Sequence, residues 1–412
     1  MKILFLHNNF PAQFGLFGQY LAREGWHVTY MTQRKGSKAA GIDAIVYRDR
    51  EQPSEHAVGH PFLKAAGKAV VTGTSALEVA LHLRHTRDYV PDVVVSHSGW
   101  GPGLFLRDVW PEAKHVSYFE WYYKGEADDV VFLSGAGRPA MEKARERMRN
   151  TPILHDLVSC DLGIVPTHYQ ARQFPEIFRS KMAVMHDGID TATFIPAEAP
   201  DTVAIAGETY TPQDEIVTYV ARGMEPYRGF PEFMEVLSLV QSRRPTLRAI
   251  VVGEDRSAYG RSLASGNTYK EDALERLPLD RNRIHFTGLL PRNEYLRVLQ
   301  ISSVHCYFTV PFVLSWSAME AMSAGCLILG SDTDPLKEIA THRKNAWLTD
   351  FRDIQRTADE LEYLLATRRE HAGLREAARR TIVERFAAKD LFPAKKTLLS
   401  TLVNEGAIAC GC

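Results

Sequence analysis

Arg222 and Arg228 lie on one short segment, Tyr219-Val220-Ala221-Arg222-Gly223-Met224-Glu225-Pro226-Tyr227-Arg228-Gly229-Phe230. The apolar run before Arg222 reads as a buried strand, and Arg228 precedes a glycine and a helical pattern. A guanidinium is always charged and donates paired hydrogen bonds to phosphate oxygens. Two on one loop therefore suit a diphosphate and the charge that builds on it as it departs. The alternative is a pair of surface arginines, Arg222 paired with Glu225. A second segment reads Pro311-Phe312-Val313-Leu314-Ser315-Trp316-Ser317-Ala318-Met319-Glu320-Ala321-Met322-Ser323-Ala324-Gly325. It predicts a short helix ended by Gly325, with the N–H groups of Leu314 and Ser315 turned to a phosphate. Glu320 can accept two hydroxyl hydrogen bonds at once, which suits the vicinal diol of a ribose. The competing reading of Ser317-x-x-Glu320 is a capping box, worth about 1 kcal/mol.

The first half offers weaker candidates. His7-Asn8-Asn9-Phe10-Pro11-Ala12-Gln13-Phe14-Gly15 leads from a strand into a helix. Phe14 and Gly15 thus mark either an anion site at a helix N-terminus or a plain βα turn. Glu120, in Ser117-Tyr118-Phe119-Glu120-Trp121-Tyr122-Tyr123, can accept from a ligand hydroxyl beside three flat aromatic faces that suit a planar ligand. Otherwise the aromatics pack the domain and Glu120 is solvated. His97, in Val95-Ser96-His97-Ser98-Gly99-Trp100-Gly101, also ends a strand, as a second catalytic candidate or a structural histidine. The basic stretch Arg138 to Arg149 is interrupted by Glu142 and Glu146 and reads as a solvated helix face. The alternative is docking to an anionic membrane surface or a phosphorylated acceptor.

Positioning such groups requires strands that end beside one another. Short apolar runs followed by helical patterns recur at 3–6, 27–31, 93–96, 162–165 and 183–185, and again at 216–220, 249–252, 284–286, 304–308 and 327–329. Runs of this kind predict parallel strands buried on both faces, hence two open doubly wound sheets. At 412 residues the chain suits two domains of about 200 residues each. The Pro/Ala-rich stretch 194–200 reads as the linker, giving domains 1–197 and 198–387, with 388–412 completing the first. A helical stretch around 381–403 is long enough to cross back. In open α/β sheets ligands bind beyond the carboxyl ends of the strands, so two such domains facing across a cleft would place the chemistry there.

Composition excludes several classes. The chain is 45% hydrophobic and 24% charged with a net charge of −1, so whole-surface attraction to nucleic acid is not expected. No apolar run approaches the roughly 20 residues that span a bilayer, and the N-terminal run is short for a signal peptide. The expectation is a cytoplasmic protein with at most peripheral membrane contact. Cys160, Cys306, Cys326, Cys410 and Cys412 are odd in number and widely spaced, which suits a reduced compartment without disulfides. Cys410-Gly411-Cys412 reads as a frayed tail, with a metal or redox pair as the alternative. No His/Cys cluster has zinc spacing, and no metal is expected.

Taken together, the two C-terminal segments resemble family 4 of the retaining glycosyltransferases, bacterial type, which have the GT-B fold. The likeness rests on Arg222 and Arg228, on Glu320-Ala321-Met322-Ser323-Ala324-Gly325, and on Phe286-Thr287-Gly288-Leu289-Leu290-Pro291 and Val184-Met185-His186-Asp187-Gly188-Ile189-Asp190. The resemblance implies arginines on the diphosphate of a UDP- or GDP-linked sugar, Glu320 on the ribose, and the loop through Leu290 against the base. It further implies metal-independent transfer to a hydroxyl acceptor, the departing phosphate taking the acceptor proton. One position departs from the pattern. The first glutamate of the Glu-x7-Glu motif is Phe312, which leaves backbone groups at Val313 and Leu314, or a residue of the first domain, to orient the sugar. Where the family has a strand-end histidine this chain has Phe119-Glu120. The alternatives are a catalytically silent binding or scaffold protein, and an epimerase or hydrolase of the same fold.

Overall fold

The computed structural model describes residues 1–49, 59–198, 202–211 and 213–409. The chain divides into two compact units. One comprises Met1–Val130, Ser134–Gly188 and Lys389–Cys412; the other comprises Val131–Leu133 and Ile189–Ala388.

The first unit is built on seven parallel strands: β1 (Lys2–Leu6), β2 (His27–Thr32), β3 (Ile42–Val46), β4 (Val93–His97), β5 (Lys114–Tyr118), β6 (Leu162–Val165) and β7 (Met182–Val184). Their order is β3-β2-β1-β4-β5-β6-β7. Ile3, Leu4, Phe5 and Leu6 are all fully buried, because helices cover both faces of a parallel sheet. Strand order reverses between β1 and β4, where Ile3 registers with Val28 on one side and Val93 on the other. The residues just beyond β1, β4 and β5 therefore gather at the switch point, where doubly wound sheets hold their ligands.

The second unit opens on an antiparallel hairpin, β8 (Val203–Ile205) and β9 (Glu208–Tyr210). Six parallel strands follow: β10 (Glu215–Gly223), β11 (Leu247–Glu254), β12 (Ile284–Gly288), β13 (Val304–Tyr307), β14 (Ile328–Ser331) and β15 (Trp347–Thr349). Their order is β12-β11-β10-β13-β14-β15, and it reverses at β10 and β13. The β10–β11 register shifts between Val220 and Gly223. Gly253 lies beside that irregularity at φ 138°, and a Cβ there would sit 2.0 Å from the Ala221 carbonyl oxygen, so only glycine fits. Both sheets are of the doubly wound kind that the recurring apolar runs imply.

The structure differs from the sequence reading in places. The division between units falls at Gly188 and Ile189, upstream of the Pro/Ala-rich stretch, because Ile189 and Phe194 are buried in the second unit's core. The stretch around 381–403 is not one helix. It breaks at Ala387, between helices Ala372–Phe386 and Ala388–Ala409. Ala387 is extended there because the chain bridges to Ile189, whose N–H donates to the Phe386 carbonyl and whose carbonyl accepts from Ala388, both at 2.8 Å. From Lys389 onward the last helix packs into the first unit, with Phe392 5.4 Å from the Phe17 ring. In the basic stretch, Arg138 pairs with Glu142, Lys143 with Glu126 and Arg149 with Glu146. Cys160, Cys306 and Cys326 are buried and unbridged; Cys410 and Cys412 lie outside the described residues. Among the described residues, no helix is long and apolar enough to cross a membrane.

Candidate functional site

In the second unit β10 ends at Arg222 and Gly223, and a 3₁₀ turn, Pro226–Arg228, carries the chain to the helix Phe230–Arg243. Gly229 makes the reversal at φ 59°, where a Cβ would meet Phe308 at 2.5 Å. The two arginines end in unlike places. Arg222 is exposed and pairs with no carboxylate among the described residues. Arg228 is only 6% exposed. Its Nη1 donates to Thr309 Oγ1 at 3.2 Å and to the Val313 carbonyl at 2.9 Å. The guanidinium carbon lies 5.5 Å from the Tyr259 ring centroid. No carboxylate among the described residues forms an ion pair with it, and none of them accepts from its Nε or Nη2. Burial disfavours its charge, but the hydroxyls of Tyr307 and Tyr259 and the Glu225 carboxylate favour it and leave its pKa raised, so the charge is kept with Nε and Nη2 left to donate to an anion supplied from outside.

Phe312 is buried between aromatic rings, 5.0 Å from Tyr227 and 5.2 Å from Tyr259, in edge contacts. The missing carboxylate is thus replaced by an apolar plug beside Arg228. Ser315 is the N-cap of the helix Trp316–Ser323 and accepts from the Ser317 N–H. The Ser315 N–H, expected to face a phosphate, donates to Tyr307 Oη at 3.0 Å. Leu314 turns its side chain into the core. The capping box does not form either: Glu320 Oε2 accepts from Tyr295 Oη at 2.9 Å. No described group donates to Glu320 Oε1. Burial raises the Glu320 pKa, against the Tyr295 hydrogen bond and the Arg292 charge, which lower it. Gly325, at φ 76°, ends the helix as expected, with Cys326 N–H donating to the Ala321 carbonyl and Gly325 N–H to Met322. In the β12 loop, Leu290 packs partly against the core of Ile205, Ile216 and Ile250, while Leu289 is 68% exposed. Leu289, and not Leu290, is the loop's free apolar face.

In the first unit three adjacent strand ends converge. His97 is buried, with Nδ1 2.9 Å from the Ser98 carbonyl and Nε2 3.5 Å from Glu120 Oε2. Its ring stacks on Trp100 at 4.2 Å and meets His7 edge-on at 4.8 Å. Ser98 Oγ donates to Asp156 at 2.7 Å, which holds the loop behind His97. Glu120 Oε1 accepts from Gln13 Nε2 at 2.6 Å, and its side chain is 27% exposed. The carboxylate is therefore held by Gln13, lies beside the His97 ring, and reaches solvent. The other candidates are structural. Gly15 N–H donates to the Pro11 carbonyl at 2.8 Å, and Phe14 is buried against Phe5, so both serve the turn. Trp121 is buried, Tyr122 packs on Phe174, and Tyr123 lies under Arg149 with its backbone clamped by Asn150. These aromatics pack the domain.

Tyr295, Tyr259, Gln13 and Glu225 escape the sequence reading as participants. Tyr295, Tyr259 and Gln13 reach candidate residues from other segments, and no local spacing announces such contacts. Glu225 alone carries a signal, three positions before Arg228.

Residues 24–194 match the family described as glycosyl transferase family 4 group, and residues 205–381 match glycosyl transferases group 1. Over 191 residues the chain is 25% identical to YqgM of Bacillus subtilis strain 168, described as an uncharacterized glycosyltransferase. That match takes in 44% of this chain and 48% of the other, so the chain spans about half the length of the curated relative it matches. Among solved structures, sucrose-phosphate synthase from Thermosynechococcus elongatus aligns with a TM-score of 0.72 at 17% identity, over 98% of this chain and 100% of that one. HepE from Anabaena, in complex with UDP and glucose, aligns with a TM-score of 0.67 at 15% identity, over 97% and 100%. At these identities the likeness concerns the fold.

Proposed function

Since the chain belongs to the family 4 group of glycosyltransferases, carried on the GT-B fold, we propose that it moves a sugar from a UDP- or GDP-linked donor to a hydroxyl acceptor with retention at the anomeric carbon. The observation that carries this reading is Arg228, a buried guanidinium that makes no ion-pair contact with a carboxylate among the described residues and whose Nε and Nη2 no described group accepts from. The solved complex of HepE with UDP and glucose adds support for a nucleotide-bound sugar.

In this reading Arg228 and Arg222 hold the diphosphate, and Glu320 Oε1 accepts from the ribose. The bond from the anomeric carbon to the diphosphate breaks, its electron pair passing to the phosphate in the field of the arginines. The acceptor oxygen bonds to that carbon from the same face, and its proton goes to the departing phosphate. Glu120, steadied by Gln13 beside His97, orients an acceptor or sugar hydroxyl. The reading assigns the leaving-group charge to the arginines, so turnover should survive EDTA.

A thermal-shift screen against UDP-, GDP-, ADP- and TDP-sugars tests the donor assignment, because a ligand of the native state raises apparent stability by mass action. One nucleotide series should raise Tm by several degrees. If none of the four does so at millimolar concentration, the donor assignment is wrong.

A further inference from the structure

The loop that supplies Arg228 also buries a carboxylate. Glu225 is fully buried. Its carbonyl accepts from the N–H groups of Arg228 and Phe230 at 3.1 and 3.2 Å, so it forms the inner side of the turn. Its Oε2 accepts from the Tyr259 N–H at 2.5 Å, and the Tyr259 ring in turn lies beneath Arg228 and against Phe312. Its Oε1 is buried without a hydrogen-bond partner among the described residues. Glu225 therefore connects three parts of the donor half: the arginine turn, the loop at 258–259, and the aromatic plug that replaces the family's carboxylate.

An unpartnered, buried carboxylate oxygen costs most when the group is charged. Burial accordingly raises the Glu225 pKa to about 7, against the N–H groups of Tyr259 and Ala258 and the charges of Arg228 and Arg256, which lower it. Arg256 is engaged with Glu254 at 2.7 Å. Among the described residues, the hydroxyls of Tyr219 and Tyr269 also feel the Glu225 charge, and both feel Glu232 of the following helix as well, whose pKa burial likewise raises. Arg228 is thus a nearby cation that helps keep Glu225 ionised, and it is also the group set aside for the diphosphate.

We propose that Glu225 is a positioning residue of the donor site that takes up a proton when a diphosphate occupies Arg228. The inference rests on the reading of Arg228 given above. The balance is simple. A bound diphosphate cancels the field of Arg228 at Glu225 and adds negative charge nearby, so the carboxylate binds a proton from solvent and becomes neutral. The neutral acid still accepts from the Tyr259 N–H, so the loop and the ring under Arg228 keep their places. Linkage then sets the direction. With Glu225 already protonated at low pH the diphosphate meets no added repulsion, so donor affinity is highest below pH 7 and falls as pH rises above it.

The test is calorimetric titration with UDP-glucose and with GDP-mannose, whose diphosphates carry no titrating group between pH 6 and 8.5. Each is run in two buffers of different ionisation enthalpy. For wild type, a shift of one pKa unit on binding gives an uptake of about half a proton near pH 7.5 and an affinity about tenfold weaker at pH 8.5 than at pH 6. Glu225→Gln keeps an acceptor for Tyr259 and should bind with no proton uptake and with affinity level across this range. The wild-type proton count is independent of how well the variant folds. Binding without linked protons, or the same uptake in Glu225→Gln, overturns the role of Glu225 and leaves the donor assignment standing. Failure of wild type to bind either sugar nucleotide overturns both.

Discussion

Replacing Arg228 by methionine separates binding from stability. The guanidinium is 6% exposed, lacks an ion-pair partner among the described residues, and spends Nη1 on Thr309 and Val313. Methionine fills a similar volume and removes the desolvation cost of a buried charge, a cost that the Coulombic attraction of Glu225 already offsets in part. Against that gain stands the loss of two hydrogen bonds donated by a charged group, at about 1.5–3 kcal/mol each. The two nearly cancel, so stability should change by no more than about 1 kcal/mol, or by about 2–4 °C in Tm. Donor binding should suffer far more. Charge-assisted bonds to the diphosphate contribute about 1.5–3 kcal/mol each, so losing two of them weakens a sugar nucleotide by at least roughly a hundredfold. Calorimetric titration gives the affinity and a ligand-free thermal melt gives the stability. Arg228→Lys retains the charge without the fork and should lie between the two. If Arg228→Met folds as wild type does and binds UDP- or GDP-sugars within threefold of the wild-type affinity, the diphosphate assignment is refuted.

Glu320→Gln retains an acceptor for Tyr295 but removes an acceptor for the ribose; nucleotide affinity should fall about tenfold, or 1.4 kcal/mol, with Tm unchanged. Equal affinity would dismiss the ribose assignment. Asp156 is fully buried and its pKa is raised from 3.8 to about 6 by burial. Its stabilising contribution is therefore complete below pH 3.8 and is lost as pH rises through 6, a loss of roughly 3 kcal/mol. Urea denaturation at pH 5 and pH 8 should show about half of that loss in wild type and a flatter dependence in Asp156→Asn; identical slopes would dispose of it. Gly253→Ala places a Cβ 2.0 Å from the Ala221 carbonyl oxygen and should cost more than about 2 kcal/mol. A melt indistinguishable from wild type would argue against the tight β10–β11 approach.

The amino-acid sequence by itself determined the two doubly wound sheets. Val93–His97 or Glu215–Gly223 can be read as buried parallel strands because both faces are covered and the apolar run is continuous. Elements that depend on context were not legible in this way: β3 (Ile42–Val46) is only half-buried, and β15 (Trp347–Thr349) is three residues long. The sequence also brought Arg222, Arg228, Glu320, Glu120 and His97 into view, since strand ends and turn glycines mark where side chains can meet a ligand. What each of them does was decided by tertiary structure. The Ser317-x-x-Glu320 spacing offers a cap, yet Tyr295 on another helix holds Glu320. Ser315 and Gly15 have the N–H groups of helix starts, yet those donate to Tyr307 and Pro11. Glu225 looks like a partner for Arg222, yet it is buried beneath Tyr259 while Arg222 stands in solvent. A spacing along the chain states which groups are near in sequence. Hydrogen-bond donors and acceptors are consumed by whatever is nearest in space, and only the folded chain brings those partners together.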